Sequence, residues 1–176
     1  LGALLVAFLI KTFLMQAYFI PSSSMTPTLQ IGDRVLVNKL SYKVGSIGRG
    51  DLVVFQRPAV ENTGQTDLIK RVIAFEGELI EIVEGRIYIT EADSSTRQLL
   101  VEPYLSAITT TTGFVNTDLC EVATETSCLI PDDSIFVLGD NRSGSRDSRY
   151  FGPIPEDLVV GRAFIRLWPI SSLKFL

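Results

Sequence analysis

Two features of this sequence could carry covalent chemistry. One is a run of hydroxyls, Pro21-Ser22-Ser23-Ser24-Met25-Thr26-Pro27, and the other is Lys70, a lone cation inside the apolar stretch Leu68-Ile69-Lys70-Arg71-Val72-Ile73. The chain has no histidine. That removes Ser-His-Asp triads, Cys-His nucleophiles, imidazole proton shuttles and the commonest metal ligand. Its cysteines, Cys120 and Cys128, are too few for a structural zinc site. Catalysis here would have to be run by Ser, Thr, Lys, Tyr or carboxylates, and no metal or organic cofactor is expected.

A serine hydroxyl is a poor nucleophile until a base takes its proton. Without histidine, that base is a carboxylate or a lysine held neutral. Burial disfavours the ammonium and can lower the titration point of a lysine by several units from its usual value of about 10.4. Lys70 fits best: period-two alternation puts it on one face with Leu68 and Val72 and turns Arg71 to the other. Lys11 lies in an apolar N-terminal run, Lys39 and Lys43 flank a Ser-Tyr turn, and Lys174 is near the C-terminus. Taken alone, each feature has a plainer reading. A strand-edge lysine can snorkel to water, and a Ser tract after proline is a common loop or helix N-cap.

The elements that must position these residues read as strands. Arg34–Val37, Asp51–Phe55, Leu68–Ala74, Leu79–Val83, Ile87–Ile89, Ser134–Leu138 and Ala163–Leu167 are short, rich in β-branched residues and bounded by Gly, Pro or Asp. Glu84-Gly85 falls where a hairpin turn is expected. No stretch after Ile20 shows a sustained helical period. The expected fold is mainly β, antiparallel and partly closed. Residues 90–128 are Thr- and Ser-rich and acidic, and read as a solvated, variable insertion. A Cys120–Cys128 disulfide would close a short loop there and suits an oxidising compartment; two unpaired thiols are the alternative.

Leu1–Ile10 is uniformly apolar before Lys11 interrupts it. A spanning helix needs about 20 apolar residues, so the expectation is an uncleaved membrane anchor whose first part lies upstream of Leu1. Residues 1–20 are then the anchor and juxtamembrane segment, and residues 21–176 the β domain. A cleaved signal peptide fits less well, because bulky Tyr18, Phe19 and Ile20 stand where small residues would precede a cut. The 16 Lys and Arg against 20 Asp and Glu give a formal charge of −4 with no basic stripe, so nucleic acid is not an expected partner.

The segment Ile20-Pro21-Ser22-Ser23-Ser24-Met25-Thr26-Pro27-Thr28-Leu29 resembles the nucleophile box of bacterial type I signal peptidases, Pro-Ser-x-Ser-Met-x-Pro-Thr-Leu, which follows a membrane span. The likeness continues in order. Gly32–Val37 and Gly50–Phe55 resemble the family's next strands, Asp67–Ile73 its lysine strand, and Gly139–Gly152 its last box. The resemblance implies Ser24 as nucleophile and Lys70 as general base. It implies an oxyanion hole from the Ser24 N–H and the Ser22 hydroxyl, with Ser145 hydrogen-bonding the Lys70 amine. Asp140, Arg142, Asp147 and Arg149, with Arg71, would brace that loop by ion pairs, the alternative being a solvated charge cluster. Ile20, Met25, Leu29, Leu68 and Ile69 would line shallow pockets for small residues before the cut.

The implied partners are secretory preproteins and the lipid bilayer, with the catalytic domain on the extracytoplasmic side of the cytoplasmic membrane. Two positions depart from the family pattern. Ser23 stands where Gly is commoner, adding a side chain beside the nucleophile, and Leu68 stands where an aromatic is common. Two other readings stay open: a Ser-Lys self-cleaving regulator, and a membrane-tethered β-sheet binding module without catalysis. Gly45–Gly50 reads as a turn rather than a phosphate cradle, and Asp132-Asp133 as a turn rather than a calcium ligand. The apolar end containing Trp168, Pro169, Leu173, Phe175 and Leu176 is expected to be core, with the bilayer surface as its alternative.

Overall fold

The structure, a computed structural model, describes residues 15–39, 47–58 and 67–176. Its strands are β1 (Met15–Phe19), β2 (Arg34–Asn38), β3 (Leu52–Gln56), β4 (Asp67–Phe75), β5 (Leu79–Val83), β6 (Arg86–Thr90), β7 (Arg97–Leu99), β8 (Ser127–Leu129), β9 (Ser134–Leu138), β10 (Ile154–Pro155), β11 (Val159–Trp168) and β12 (Lys174–Phe175). One short α-helix, α1 (Ser148–Phe151), follows β9. All seven expected strands are present, in antiparallel pairing.

The larger sheet runs β1-β2-β11-β3-β4-β9-β10, with β12 added along β11. Its central strands are buried on both faces, and the period of two sorts their side chains between separate cores. In β3, Leu52 and Val54 join a cluster with Met25, Leu29, Val35 and Val37. Val53 and Phe55 face the other way, onto Val72, Ile135, Val137 and Phe151. In β9, Phe136 and Leu138 reach a third cluster with Ile80, Ile87 and Cys128, which joins the larger sheet to the smaller one. That smaller sheet is ordered β7-β6-β5-β8. Its β5–β6 hairpin turns on Glu84 (φ 51°) and Gly85 (φ 76°). Both central residues are left-handed, as a tight hairpin turn matched to strand twist requires, and the strain falls on Glu84.

β1 and β4 do not pair as neighbouring strands, yet Tyr18 and Phe19 of β1 share one cleft with Asp67–Lys70 of β4. The sheet therefore curls until its first strand faces its fifth, which is the partial closure expected.

Three expectations change. Met15–Phe19 belongs to the sheet, not to an anchor: all five residues pair with β2, which satisfies their backbone groups there. Leu1–Leu14, which hold the remainder of the expected anchor, lie outside the described residues. No helix among the described residues is long and apolar enough to cross a membrane. The 90–128 segment is not merely a solvated appendage. It supplies β7 and most of the approach to β8, and the Cys120–Cys128 disulfide closes it with Cα atoms 5.3 Å apart. Of the C-terminal apolar residues only Leu176 packs against the core. Trp168 is 50 % exposed, Leu173 63 % and Phe175 76 %, and these three stay outside it. They lie on the outer side of the β2-β11-β12 edge, whose inner side Val35, Val37 and Ala163 already fill.

Candidate active site

Ser24 sits in the loop between β1 and β2, and local bonds shape that loop. The Thr26 N–H and hydroxyl both donate to the Ser23 carbonyl, at 3.1 and 2.9 Å. The Leu29 N–H donates to the Met25 carbonyl at 2.9 Å, and the loop ends are tied by Ile20 N–H to Asp33 O at 2.9 Å. Met25 and Leu29 are fully buried, so they pin the loop onto the core. From the far end of the chain, Asn141 clasps it again: its N–H donates to Ser24 O and its Nδ2 to Ser23 O, both at 3.1 Å.

Lys70 lies on β4 where β3 pairs with it, Val53 opposite. The residue is 2 % exposed. Its Nζ is 2.8 Å from Ser24 Oγ and 3.0 Å from the Ile69 carbonyl oxygen. Ser22 Oγ is 3.4 Å from Ser24 Oγ. A hydroxyl, an amine taken out of water and a second hydroxyl thus converge at one point. That is the set a histidine-free nucleophile needs. A snorkelling Lys70 is ruled out by its burial.

Ser145 departs from expectation. It is 6 % exposed, and its Oγ is the one buried side-chain oxygen among the described residues without a hydrogen-bond partner. The expected bond to the Lys70 amine is not made, because that amine points at Ser24 Oγ and Ile69 O instead. Ser145 nevertheless packs against the site. A side chain on Gly139 would collide with both Ser145 Oγ and the Ser24 carbonyl oxygen, so the end of β9 passes here without one.

The charged residues of the last box form pairs. Arg71, turned away from Lys70 by the strand alternation, meets Asp140 through two bonds of 2.8 and 2.6 Å and donates to Gly50 O at 2.7 Å. Asp140 also accepts the Thr28 hydroxyl at 2.5 Å, linking this pair to the Ser24 loop. Asp147 accepts Arg149 Nε and Nη2, each at 2.8 Å, and the Gly139 N–H at 3.0 Å. Arg149 and Asp147 are fully buried, so the solvated-cluster alternative fails. Arg142 pairs with no acid of its own loop. Its partner is Glu102 of the 90–128 segment, through Nη1 to Oε2 at 3.0 Å and a second contact from Nη2 to Oε1.

A cleft opens between β1 and β4 beside Ser24 and Lys70. Ile20, Leu68 and Ile69 line it as expected. Met25 and Leu29 do not, because both are consumed in the core below the loop. The sequence reading missed Tyr18, Phe19, Pro21, Val54 and Asp67, which also line it. Tyr18 was hidden by its assignment to the anchor and juxtamembrane segment, and Met15-Gln16-Ala17-Tyr18-Phe19 carries no polar–apolar alternation that would have marked it. Burial, and then the Asp67 carboxylate beside it, push the Tyr18 phenol up to about 12.

Comparisons with known proteins show which family the sequence resembles. The family profile described as signal peptidase, peptidase S26, matches residues 1–168. A probable signal peptidase I-2 of Synechocystis sp. is 37 % identical over 177 residues, covering 99 % of this chain and 72 % of that one. A signal peptidase IB of Staphylococcus aureus is 36 % identical over 179 residues, covering 98 % and 88 %. The crystal structure of a signal peptidase I from Enterococcus faecalis matches 68 % of this chain and 97 % of its own, at 27 % identity and a TM-score of 0.49.

Proposed function

This chain belongs to the signal peptidase family of peptidase S26 and is a hydrolase that removes signal peptides; we propose that it does so with Ser24 as nucleophile and Lys70 as general base. The observation that carries the proposal is the 2.8 Å between Ser24 Oγ and a buried Lys70 Nζ. A tethered binding module has no need of such a pair.

In the proposed reaction Ser24 Oγ attacks the scissile carbonyl while the neutral Lys70 amine takes the hydroxyl proton. Lys70 is buried, and burial disfavours the ammonium, which favours the neutral amine that this step requires. Negative charge then develops on the carbonyl oxygen. In this reading the Ser24 N–H and the Ser22 hydroxyl receive it, and each such donor is worth about 3 kcal/mol in a transition state. The Lys70 ammonium returns the proton to the departing amine, leaving an acyl group on Ser24. Water releases it, giving its proton to Lys70 and restoring both groups. Ser145 remains the hydroxyl beside the dyad. A buried Oγ without a partner is destabilised by about 1–3 kcal/mol, so it favours any position in which Lys70 turns to meet it.

The substrate class follows from the cleft, which is apolar along Ile20, Val54, Leu68 and Ile69. Preproteins with small residues before the cut suit it. Signal peptidases are membrane-associated, and here an exposed apolar face supports association with lipid; a catalytic domain on the extracytoplasmic side is part of the same proposal. In the sheet register Phe19, Arg34 and Trp168 form one row, and Ala17, Leu36, Ile165 and Phe175 another. Directly paired residues share a face, so these side chains form one surface on the strands that follow the expected anchor. Tethering also raises the effective concentration of a substrate presented at the same bilayer.

The test is cleavage of a preprotein carrying an Ala-x-Ala site by the detergent-solubilised protein, beside Ser24→Ala and Lys70→Ala. A wild type that cuts after the second alanine, with both variants inactive, supports the activity and both roles. Three proteins that behave alike would return the chain to a non-catalytic reading.

A further inference from the structure

We propose that Glu102 and Tyr104, two residues of the 90–128 segment, are positioning residues for the Ser24–Lys70 dyad. The inference rests on the peptidase reading above and extends it to a part of the chain whose composition shows only a polar insertion.

The segment Val101-Glu102-Pro103-Tyr104-Leu105 leaves β7 and packs against Arg71, on the face of β4 turned away from Lys70. Leu100 secures its start, donating its N–H to Ile87 O at 2.9 Å and packing on the core shared with β5 and β6. A turn follows, closed by Leu105 N–H to Glu102 O at 3.1 Å. The Glu102 carboxylate then accepts three donors: Arg142 Nη1 and Nη2 and the Tyr104 hydroxyl, the last at 2.6 Å. The Tyr104 ring lies over the Arg71 guanidinium, with Cζ 3.8 Å from the ring centroid, within the range of a cation–π contact.

Each contact leads on towards the dyad through the last box. Arg71 adjoins Lys70 in β4 and holds Asp140, whose carboxylate holds Thr28 of the Ser24 loop. Arg142 Nε donates to Gly139 O at 3.1 Å, in the stretch from which Asn141 donates to Ser24 O. Glu102 and Tyr104 therefore hold the two arginines that hold, respectively, the nucleophile's loop and the base's strand.

Charge balance makes this more than bracing. Arg142 is 3 % exposed, and Asp140 is already committed to Arg71 and Thr28. Glu102 is therefore the acid that neutralises Arg142. Without it a buried guanidinium must draw on Asp140, pulling Gly139–Asn141 away from Ser24 and loosening Arg71 beside Lys70. Loss of an ion-pair partner in a buried network is redistributed among the remaining acids, because an unpaired buried charge is far less stable than a shared one.

The experiment uses the full chain in detergent, with kcat, KM and the pH profile of kcat measured on an Ala-x-Ala preprotein for wild type, Glu102→Gln, Tyr104→Leu and Tyr104→Phe. Glu102→Gln and Tyr104→Leu are expected to lower kcat by about tenfold or more, about 1.4 kcal/mol in the barrier, with KM within about twofold. The rising limb of kcat should move to higher pH as water reaches the Lys70 amine. Tyr104→Phe keeps the ring over Arg71 and should recover most of the loss seen in Tyr104→Leu. Variants that melt earlier but retain the wild-type kcat and pH limb would show a purely structural brace and overturn the proposal. If Glu102→Gln does not fold, the Leu–Phe pair at position 104 decides alone. A wild type that does not cleave defeats the peptidase reading and this inference with it. A cleaving wild type with unaltered variants defeats only the inference.

Discussion

The Lys70 amine stands 2.8 Å from the Ser24 hydroxyl across 46 positions of sequence, and the residue that carries it is 2 % exposed. A surface lysine would be an ammonium at neutral pH and useless as a base. Ser24→Ala and Lys70→Met should each lower kcat by about a thousandfold or more while leaving the melting temperature near that of wild type. In wild type, kcat/KM should climb as pH rises through the titration of the lysine, since only the neutral amine takes the proton. A profile that stays flat from about pH 6 to about pH 10 would remove Lys70 from the base role.

Arg71 and Asp140 form a two-bonded pair with 7 % and 2 % exposure. Asp140→Asn leaves the guanidinium buried beside a neutral amide, a change that destabilises by about 3–5 kcal/mol. Urea unfolding should show this as a lower midpoint at unchanged m-value. A loss below about 1 kcal/mol would mean that Gly50 O and Tyr104 suffice to hold the arginine.

Tyr18 predicts an alkaline limit to stability. Its phenol is pushed up from 10.0 to about 12 in the fold, first by burial and then by the Asp67 carboxylate. The native state thus keeps a proton that the unfolded chain gives up at about pH 10. The contribution of this group is therefore complete below that pH and is lost as pH rises towards 12. Tyr18→Phe has no such proton. Its melting temperature should fall less steeply than that of wild type across this window, and parallel slopes would contradict the assignment.

Trp168 and Phe175 are exposed and share the outer face of the sheet with Phe19. If that face meets lipid, the double variant Trp168→Ser/Phe175→Ser should co-sediment less with phosphatidylglycerol-containing vesicles. Burying an aromatic side chain is worth about 1.5–3 kcal/mol, so several-fold weaker binding is expected. Cleavage of a short soluble peptide should be unaffected, because neither residue reaches the Ser24 cleft. Equal sedimentation would leave the face without a role in membrane association.

Much of this molecule follows from local rules. The period-two alternation of β3, β4 and β9 and the Glu84-Gly85 turn depend on neighbours in sequence, so they could be read without the fold. Likewise, the absence of histidine excludes most nucleophilic systems whatever the fold, and the wording around Ser24, Lys70 and Gly139 carries the family likeness. The ion pairs Arg71–Asp140 and Asp147–Arg149 were among the residues expected to brace the last box, although sequence could not say which acid each arginine would meet.

The tertiary structure alone decided the rest, because it depends on which distant surfaces meet. Curling of the sheet brings β1 to β4 and makes Tyr18 and Asp67 walls of the cleft. Burial of Met25 and Leu29 follows from the core having room beneath the loop, and removes them from the substrate side. Trp168 and Phe175 stay outside because Val35, Val37 and Ala163 already fill the inner face. Above all, Arg142 chose Glu102, an acid 40 positions away in a segment with no pattern of its own. A polar stretch without periodicity does not reveal which of its carboxylates will be buried; that is settled only when a buried arginine needs one.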